Sequence, residues 1–289
     1  MPRHVEVLDA DGDLFVATLD DGLQVRARSV VLALGMDPHR RLPAELLALL
    51  PEGSWRHTCD AVDLTGAAGR RYLLVGGWQS AFDWAALLTE AGAASVDVVH
   101  RHDSPAFAPA HWGWVTGVVD RMAAEPGWFR RLAPGEQQDL RARLWSEGRL
   151  KVEPWLEARL PADRVRVRPR TAVVSCHRAG DGSLVVALDD GSAVTVDEVV
   201  LATRYLPRID DIGFLRAGNL PPLAEQDGLP DLDDGFQTSV PGLFVTSLLA
   251  TGHFGPLLGF TVSARMSAAV ITAAVRSRAA SVAVPSSPD

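Results

Sequence analysis

The chain has 289 residues, 47% hydrophobic and 22% charged, enough to bury one large core or two modest ones. A formal net charge of -8 argues against a nucleic-acid partner, and two distant cysteines, Cys59 and Cys176, without Cys-x-x-Cys spacing indicate neither a disulfide framework nor a zinc site. No run approaches the length a bilayer needs and Met1-Pro2-Arg3-His4 leads into no apolar segment, so the expected protein is cytoplasmic and has no membrane partner.

The first pattern in chain order is Asp11-Gly12-Asp13-Leu14-Phe15-Val16-Ala17-Thr18-Leu19-Asp20-Asp21-Gly22, running on to Val30-Val31-Leu32-Ala33. It recurs as Asp181-Gly182-Ser183-Leu184-Val185-Val186-Ala187-Leu188-Asp189-Asp190-Gly191, running on to Val199-Val200-Leu201-Ala202. Each copy predicts two alternating strands joined at a turn rich in Asp and Gly, then an apolar strand of the kind buried on both faces of a sheet. The separation of the copies is far too long for a solenoid and points to two related domains, one interleaved with the other.

Between the copies, Tyr72-Leu73-Leu74-Val75 predicts a strand, Gly76-Gly77-Trp78-Gln79-Ser80-Ala81 a turn opening a helix, Phe82 to Ala91 the helix, Gly92 its stop, and Ser95 to His102 a second strand and its end. In such a βαβ unit the glycines let the backbone approach a pyrophosphate, whose charge is stabilised by free N–H groups at the helix N-terminus. Gln79 and Ser80 open the helix, and Ala81 takes the close-packing position. His100-Arg101-His102 ends the second strand with cations suited to a 2'-phosphate, which predicts NADP in preference to NAD. Read as G-x-G-x-x-A, the turn puts Trp78 at the second glycine. Either the indole swings outward and shields the nucleotide, or binding is lost.

Further along, His111-Trp112-Gly113-Trp114, Trp128, Trp145 and Trp155 surround a helical stretch from Glu136 to Glu147, and read as core ahead of a pocket lining. His57 and His253 have no Ser, Cys or Asp in register, so no triad, catalytic residue or metal ligand is assigned. Asp83 reads as a first-turn charge complementing the helix dipole. Arg164 to Arg168 and Arg40-Arg41 read as solvated charge on strand or loop. A helix is expected from about Val262 to Val275.

Gly76-Gly77-x-Gln79-Ser80-Ala81 combines with Ala33-Leu34-Gly35 and Ala202-Thr203-Arg204-Tyr205 at the ends of the repeated strands. Ser239-Val240-Pro241-Gly242-Leu243-Phe244-Val245-Thr246-Ser247 and Gly252-His253-Phe254-Gly255-Pro256 follow. With these motifs the chain resembles two-dinucleotide-binding-domain flavoproteins, and within them flavin-dependent monooxygenases of the N-hydroxylating and Baeyer–Villiger type. Gly53-x-x-x-His57-Thr58 is similar to part of their linker fingerprint, with Pro51 in place of its Phe. Leu34 and Arg204 interrupt the two Ala-Thr-Gly tripeptides, and Ser247 replaces a glycine where the last strand approaches flavin, which implies a weakened FAD site.

The resemblance implies an α/β fold: a Rossmann-like NAD(P)-binding domain inserted in an incomplete FAD-binding domain, with β-meanders. Residues 1–50 would form a partial FAD-binding domain and 51–206 the inserted NADP-binding domain with a helical insertion. A linker and the C-terminal part of the FAD-binding domain would follow at 207–280, with a disordered tail at 281–289. The family's first Gly-x-Gly-x-x-Gly half has no counterpart, because Met1 starts inside the first meander. Three expectations follow: a separate FAD-domain chain supplies it, the true start codon lies upstream, or the chain is a remnant carrying the NADP domain alone.

The implied activity is an FAD/NAD(P)H-dependent, monooxygenase-like oxidoreductase acting on a small-molecule substrate, as part of a larger assembly or a homo-oligomer. Its cofactors would be NADP and FAD. The cofactor-binding residues would be Gly76, Gly77, Trp78, Gln79, Ser80, Arg101 and His102, with Phe254 and Gly255 against the flavin. The alternative is a non-catalytic nucleotide-binding or scaffold remnant that has lost flavin.

Overall fold

The computed structural model describes residues 3–280 in full and the backbone of 281–283. In chain order the principal elements are β1 (Val5–Asp11), β2 (Leu14–Leu19), β3 (Gln24–Ala27), β4 (Val30–Leu32), β5 (Trp55–His57), β6 (Arg71–Val75), α1 (Gln79–Glu90) and β7 (Ser95–His100). Next come α2 (Val115–Ala124), α3 (Pro134–Leu144), β8 (Val165–Pro169), β9 (Val173–Arg178), β10 (Leu184–Leu188), β11 (Ala193–Val196), β12 (Glu198–Leu201), β13 (Leu243–Val245) and α4 (Ala264–Ala283). They fall into two compact units, one of residues 1–39, 113–142 and 207–289, the other of residues 40–112 and 143–206. The first division thus lies at 39/40 where the sequence suggested 50/51, and 113–142 groups with the termini where the sequence reading placed it in the inserted domain.

The second unit is built on a parallel sheet in the order β8-β7-β6-β12-β5. Period-two alternation on a strand sends neighbours to opposite faces, and both faces here are apolar. Tyr72 and Leu74 of β6, Val96 and Val98 of β7 and Val200 of β12 pack against Ala81, Trp84, Ala85 and Leu88 of α1. Leu73, Val99, Val199 and Leu201 face the other way, onto Leu184, Val186 and Leu188 of β10 and Val194 and Val196 of β11. The β9-β10-β11 meander therefore covers the second face of the sheet. Asp97 and Arg168, neighbours on β7 and β8, are joined by an ion pair of 2.8 Å that is largely withdrawn from solvent.

Both copies of the repeat form a three-stranded antiparallel meander, β1-β2-β3 and β9-β10-β11, so each begins one strand earlier than the repeated residues imply. Their tight turns use glycine alike: Gly12 and Gly22 in one, Gly182 and Gly191 in the other, all have positive φ. The closing strands differ. In the second unit β12 lies between β6 and β5 and is buried, as the apolar run predicts.

In the first unit β4 pairs in parallel with β13 alone among the described residues, and Val31 is 44% exposed. The expectation that this strand is buried on both faces is corrected: Leu32 is buried, while the face that Val31 presents is exposed. Elsewhere in this unit Phe236 and Phe254 stack at 3.7 Å between ring centres. The C-terminal helix α4 starts at Ala264 and continues to Ala283, past the expected end at Val275. Of the tail expected at 281–289, residues 284–289 lie outside the described residues.

Candidate nucleotide site in the second unit

Because β6, β7 and β12 run parallel, their carboxyl ends share one edge of the sheet, and crevices outside that edge are where open α/β sheets take ligands. A cavity of about 410 Å³ opens there. The turn Gly76, Gly77 and Trp78 forms one side, His100, Arg101 and His102 another, and Thr203 and Arg204 after β12, with Arg41, a third. Glu45 is the one acidic residue on its wall.

The glycines of the turn are required by close approach inside the protein. Gly76 has φ +138, and a Cβ there would stand 2.9 Å from the Ala202 Cβ and closer still to the Ala202 carbonyl. Its N–H donates to the Val99 carbonyl at 2.9 Å. A Cβ on Gly77 would run into the His100 imidazole. Two bare residues thus let the turn sit on β12 and β7 together, which brings the start of α1 to the cavity.

Trp78 occupies the N-cap of α1 with an extended backbone and no side-chain cap, and its carbonyl accepts the Ala81 N–H at 2.9 Å. The first N–H groups of α1 have no intrahelical acceptor, leaving partial positive charge beside the cavity. The indole stacks on His102 at 4.2 Å with 15° between planes, and His102 stacks on His100 at 4.4 Å. Gln79 turns away from the cavity: its Oε1 accepts the Glu153 N–H at 3.0 Å and its Nε2 donates to Asp83 Oδ1 at 3.3 Å. Ser80 is exposed. Burial raises the Asp83 carboxyl, with the Gln79 hydrogen bond pulling the other way.

His100 is 3% exposed, and its Nδ1 lies 2.9 Å from the His102 carbonyl, so that nitrogen carries the proton and donates. Its Nε2, also buried, has no hydrogen-bond partner. Burial, and secondarily the neighbouring His102, push the His100 pKa down, which keeps Nε2 an acceptor lone pair. An unsatisfied buried acceptor carries a desolvation cost.

The positive charge is similarly uncompensated. Arg41, Arg101 and Arg204 line the cavity, and none forms an ion pair among the described residues. Burial lowers the Arg204 pKa most, followed by repulsion from Arg41 and Arg101; Arg149 is lowered by burial and then by Arg204. Arg204 has φ +74, a left-handed backbone that costs a non-glycine residue roughly 1–2 kcal/mol. Its guanidinium lies 5.8 Å from the Trp78 ring centre and 5.1 Å from that of Trp145.

The structure therefore brings together Gly76, Gly77, Trp78, Arg101 and His102 on one cavity and places Gln79 and Ser80 just behind it. Phe254 and Gly255 belong to the first unit. Phe254 is 1% exposed, and a Cβ on Gly255, at φ +94, would press on Phe129. Arg41 and Arg204 escaped the sequence reading as site residues, the available signal being the Arg where an Ala-Thr-Gly tripeptide would end; His100, expected among the cations, is buried with its pKa lowered.

The tryptophan expectation is also corrected. Trp112, Trp145 and Trp155 are 38%, 38% and 52% exposed, because an irregular segment, a π-helical turn and a 3-10 helix carry them at the surface. Trp155 and Trp128 are faced by Arg159 and Arg121 in cation–π contacts.

No protein-family model matches the chain. It is 32% identical over 108 residues to an FAD-dependent urate hydroxylase of Xanthomonas campestris pv. campestris, covering 36% of this chain and 23% of that protein. It is 37% identical over 99 residues to a ferredoxin–NADP reductase of Nocardioides sp., covering 33% of this chain and 28% of the reductase. The chain thus aligns with about a quarter of the length of these curated relatives. Among solved structures, an ornithine N-hydroxylase of Kutzneria sp. 744, described with reduced FAD, NADP+ and L-ornithine, superposes with a TM-score of 0.68. That match has 16% identity and covers 96% of this chain and 72% of the hydroxylase. The fold is the mixed α/β fold of FAD- and NAD(P)-binding flavoproteins, consistent with a two-dinucleotide-binding flavoprotein.

Proposed function

We propose that the second unit binds NADPH in an FAD/NAD(P)H-dependent, monooxygenase-like oxidoreductase. The observation that carries this reading is the cavity at the carboxyl edge of the parallel sheet, where a glycine turn, a helix N-terminus and three unneutralised arginines converge. When bound, NADPH supplies a hydride for flavin reduction. This chain's residues bind and orient the nucleotide. The N-terminus of α1, just behind the cavity, would turn its positive end toward the diphosphate, and Arg101 at the end of β7 would take the 2'-phosphate. Among the described residues no helix is long and apolar enough to cross a membrane.

Flavin is the second part of the proposal. Phe254 is stacked on Phe236 and buried, leaving no open ring face for an isoalloxazine. Ser247 holds a left-handed φ of +65 where the resembling proteins have glycine. FAD would accordingly be held mainly outside these residues, by a separate FAD-domain chain or a second copy of this one. The substitutions at Trp78, Arg204 and Ser247 favour the other reading as well, a nucleotide-binding remnant that has lost flavin.

Calorimetric titration with NADP+ and NAD+ tests the reading. Wild-type protein should bind NADP+ more tightly. Arg101→Ala should weaken NADP+ by about 1.5–3 kcal/mol and NAD+ far less, as expected for one lost charge-assisted phosphate contact. Equal losses would reject the role of Arg101, and no binding of either nucleotide at millimolar concentration would reject the site. A yellow preparation that oxidises NADPH supports the oxidoreductase; a colourless one that binds NADPH unchanged supports the remnant.

A further inference from the structure

The dinucleotide fingerprint needs its second glycine so that bare backbone can approach the diphosphate, and Trp78 stands at that position. Arg204 stands at another position built for glycine, as its φ of +74 shows. Taken singly, each side chain subtracts from a nucleotide site. In the fold they meet on the same cavity wall: the Arg204 guanidinium lies over the Trp78 indole and also contacts the Trp145 ring.

The backbone beneath Arg204 is fixed as well. Its carbonyl accepts the Arg41 N–H at 3.0 Å, and the Thr203 hydroxyl donates to the Arg41 carbonyl at 2.5 Å. A strained backbone, a guanidinium held by two indoles and repulsion from Arg41 and Arg101 together describe a cation kept in an unfavourable place. His100, buried behind the same wall, keeps an Nε2 with no hydrogen-bond partner and adds no opposite charge to the cavity.

We propose that Trp78 and Arg204 form a compensating pair, in which the indole closes the backbone approach and serves as the shelf that presents the Arg204 guanidinium to the nucleotide diphosphate. A side-chain cation thereby replaces part of a main-chain cradle. The ligand class follows: Arg204 recognises a diphosphate whether or not the ribose carries a 2'-phosphate, while Arg101 separates the two. The inference rests on the NADPH reading and adds the means by which a turn lacking its second glycine holds the diphosphate.

The test is calorimetric titration of wild type, Arg204→Gln, Arg204→Lys, Trp78→Gly, Arg204→Gly and the Trp78→Gly/Arg204→Gly double variant with NADP+ and NAD+. Arg204→Gln, which keeps length and polarity, should weaken both nucleotides by a similar factor, roughly tenfold or more, and Arg204→Lys by less. The double variant, with bare backbone at both places, should bind better than Arg204→Gly alone, and the four-way cycle should be non-additive.

A uniform loss for both nucleotides with a non-additive cycle supports the pair. Loss for NADP+ alone would move Arg204 to the 2'-phosphate and overturn the assignment, as would wild-type binding by Arg204→Gln or an additive cycle. Should wild type bind neither nucleotide, the NADPH reading itself fails, an outcome distinct from wild type binding while the Arg204 variants bind equally well. Thermal melts of each variant separate loss of binding from loss of folding, and Arg204→Lys, which keeps the charge without the planar guanidinium, separates charge from stacking.

Discussion

Gly77→Ala offers a stringent test of how the candidate site is held. No left-handed φ is required at Gly77, so alanine faces no conformational barrier there, and the effect comes from the space beneath it. The new methyl would meet the His100 ring, which is 3% exposed and tied through Nδ1 to the His102 carbonyl. Overpacking a rigid site costs roughly 1–3 kcal/mol, and displacing the imidazole adds the loss of one hydrogen bond, about 0.5–1.5 kcal/mol. Alanine's smaller unfolded-state entropy returns about 0.4–1 kcal/mol. The net loss is about 0.5 to 4 kcal/mol, and each kcal/mol lowers Tm by about 2–4 °C in a domain of this size.

Gly117 supplies the control, an exposed glycine within α2 with nothing near its would-be Cβ. Gly117→Ala should stabilise the protein by roughly 0.5–1 kcal/mol through helix propensity. Thermal melts of the two variants should move in opposite directions. If Gly77→Ala melts at or above wild type, the turn does not rest on His100 as described.

Asp97→Asn should destabilise by about 3 kcal/mol in urea unfolding, because Arg168 keeps a poorly solvated charge without its partner. Asp97→Leu combined with Arg168→Met should cost much less, and equal losses in both proteins would refute the argument. The pH dependence has a definite sign. His39, His100 and His253 all have pKa values lowered from 6.5, burial being the largest cause in each. As pH falls below about 6.5 the unfolded chain binds protons that the folded chain refuses, so stability present above that pH is lost on acidification. Urea midpoints should therefore fall between pH 7.5 and about 5.5, and His100→Gln should reduce the slope; a midpoint that rises over this range contradicts the assignment.

The βαβ unit was legible because several local signals agree on it. Apolar Tyr72 to Val75, together with Val96, Val98 and Val99, glycine at both ends of the helix and alanine at its packed start leave few alternatives. The repeated Asp-Gly turns were equally plain, since positive φ selects residue type directly. Burial of the tryptophans was not, because an indole's exposure depends on which distant segments cover it, and at Trp112, Trp145 and Trp155 little does.

Arg204 was visible only as a missing glycine. Nothing local to Ala202-Thr203-Arg204 reveals that its side chain reaches an indole on the turn after another strand. The roles of Gly76 and Gly77 were half visible: small residues were needed, yet the immediate neighbours that need them are Ala202 and His100.

Among the described residues, strand β4 offers hydrogen-bonding groups on one side with no strand to receive them, beside an exposed valine. Such an edge is adhesive, and adhesion of this kind scales with protein concentration. Dilute samples should stay dispersed while concentrated ones thicken into edge-joined species, unless another strand has already claimed the position. A lysine in place of Val31 would act as a gatekeeper, making handling easier without touching the nucleotide cavity.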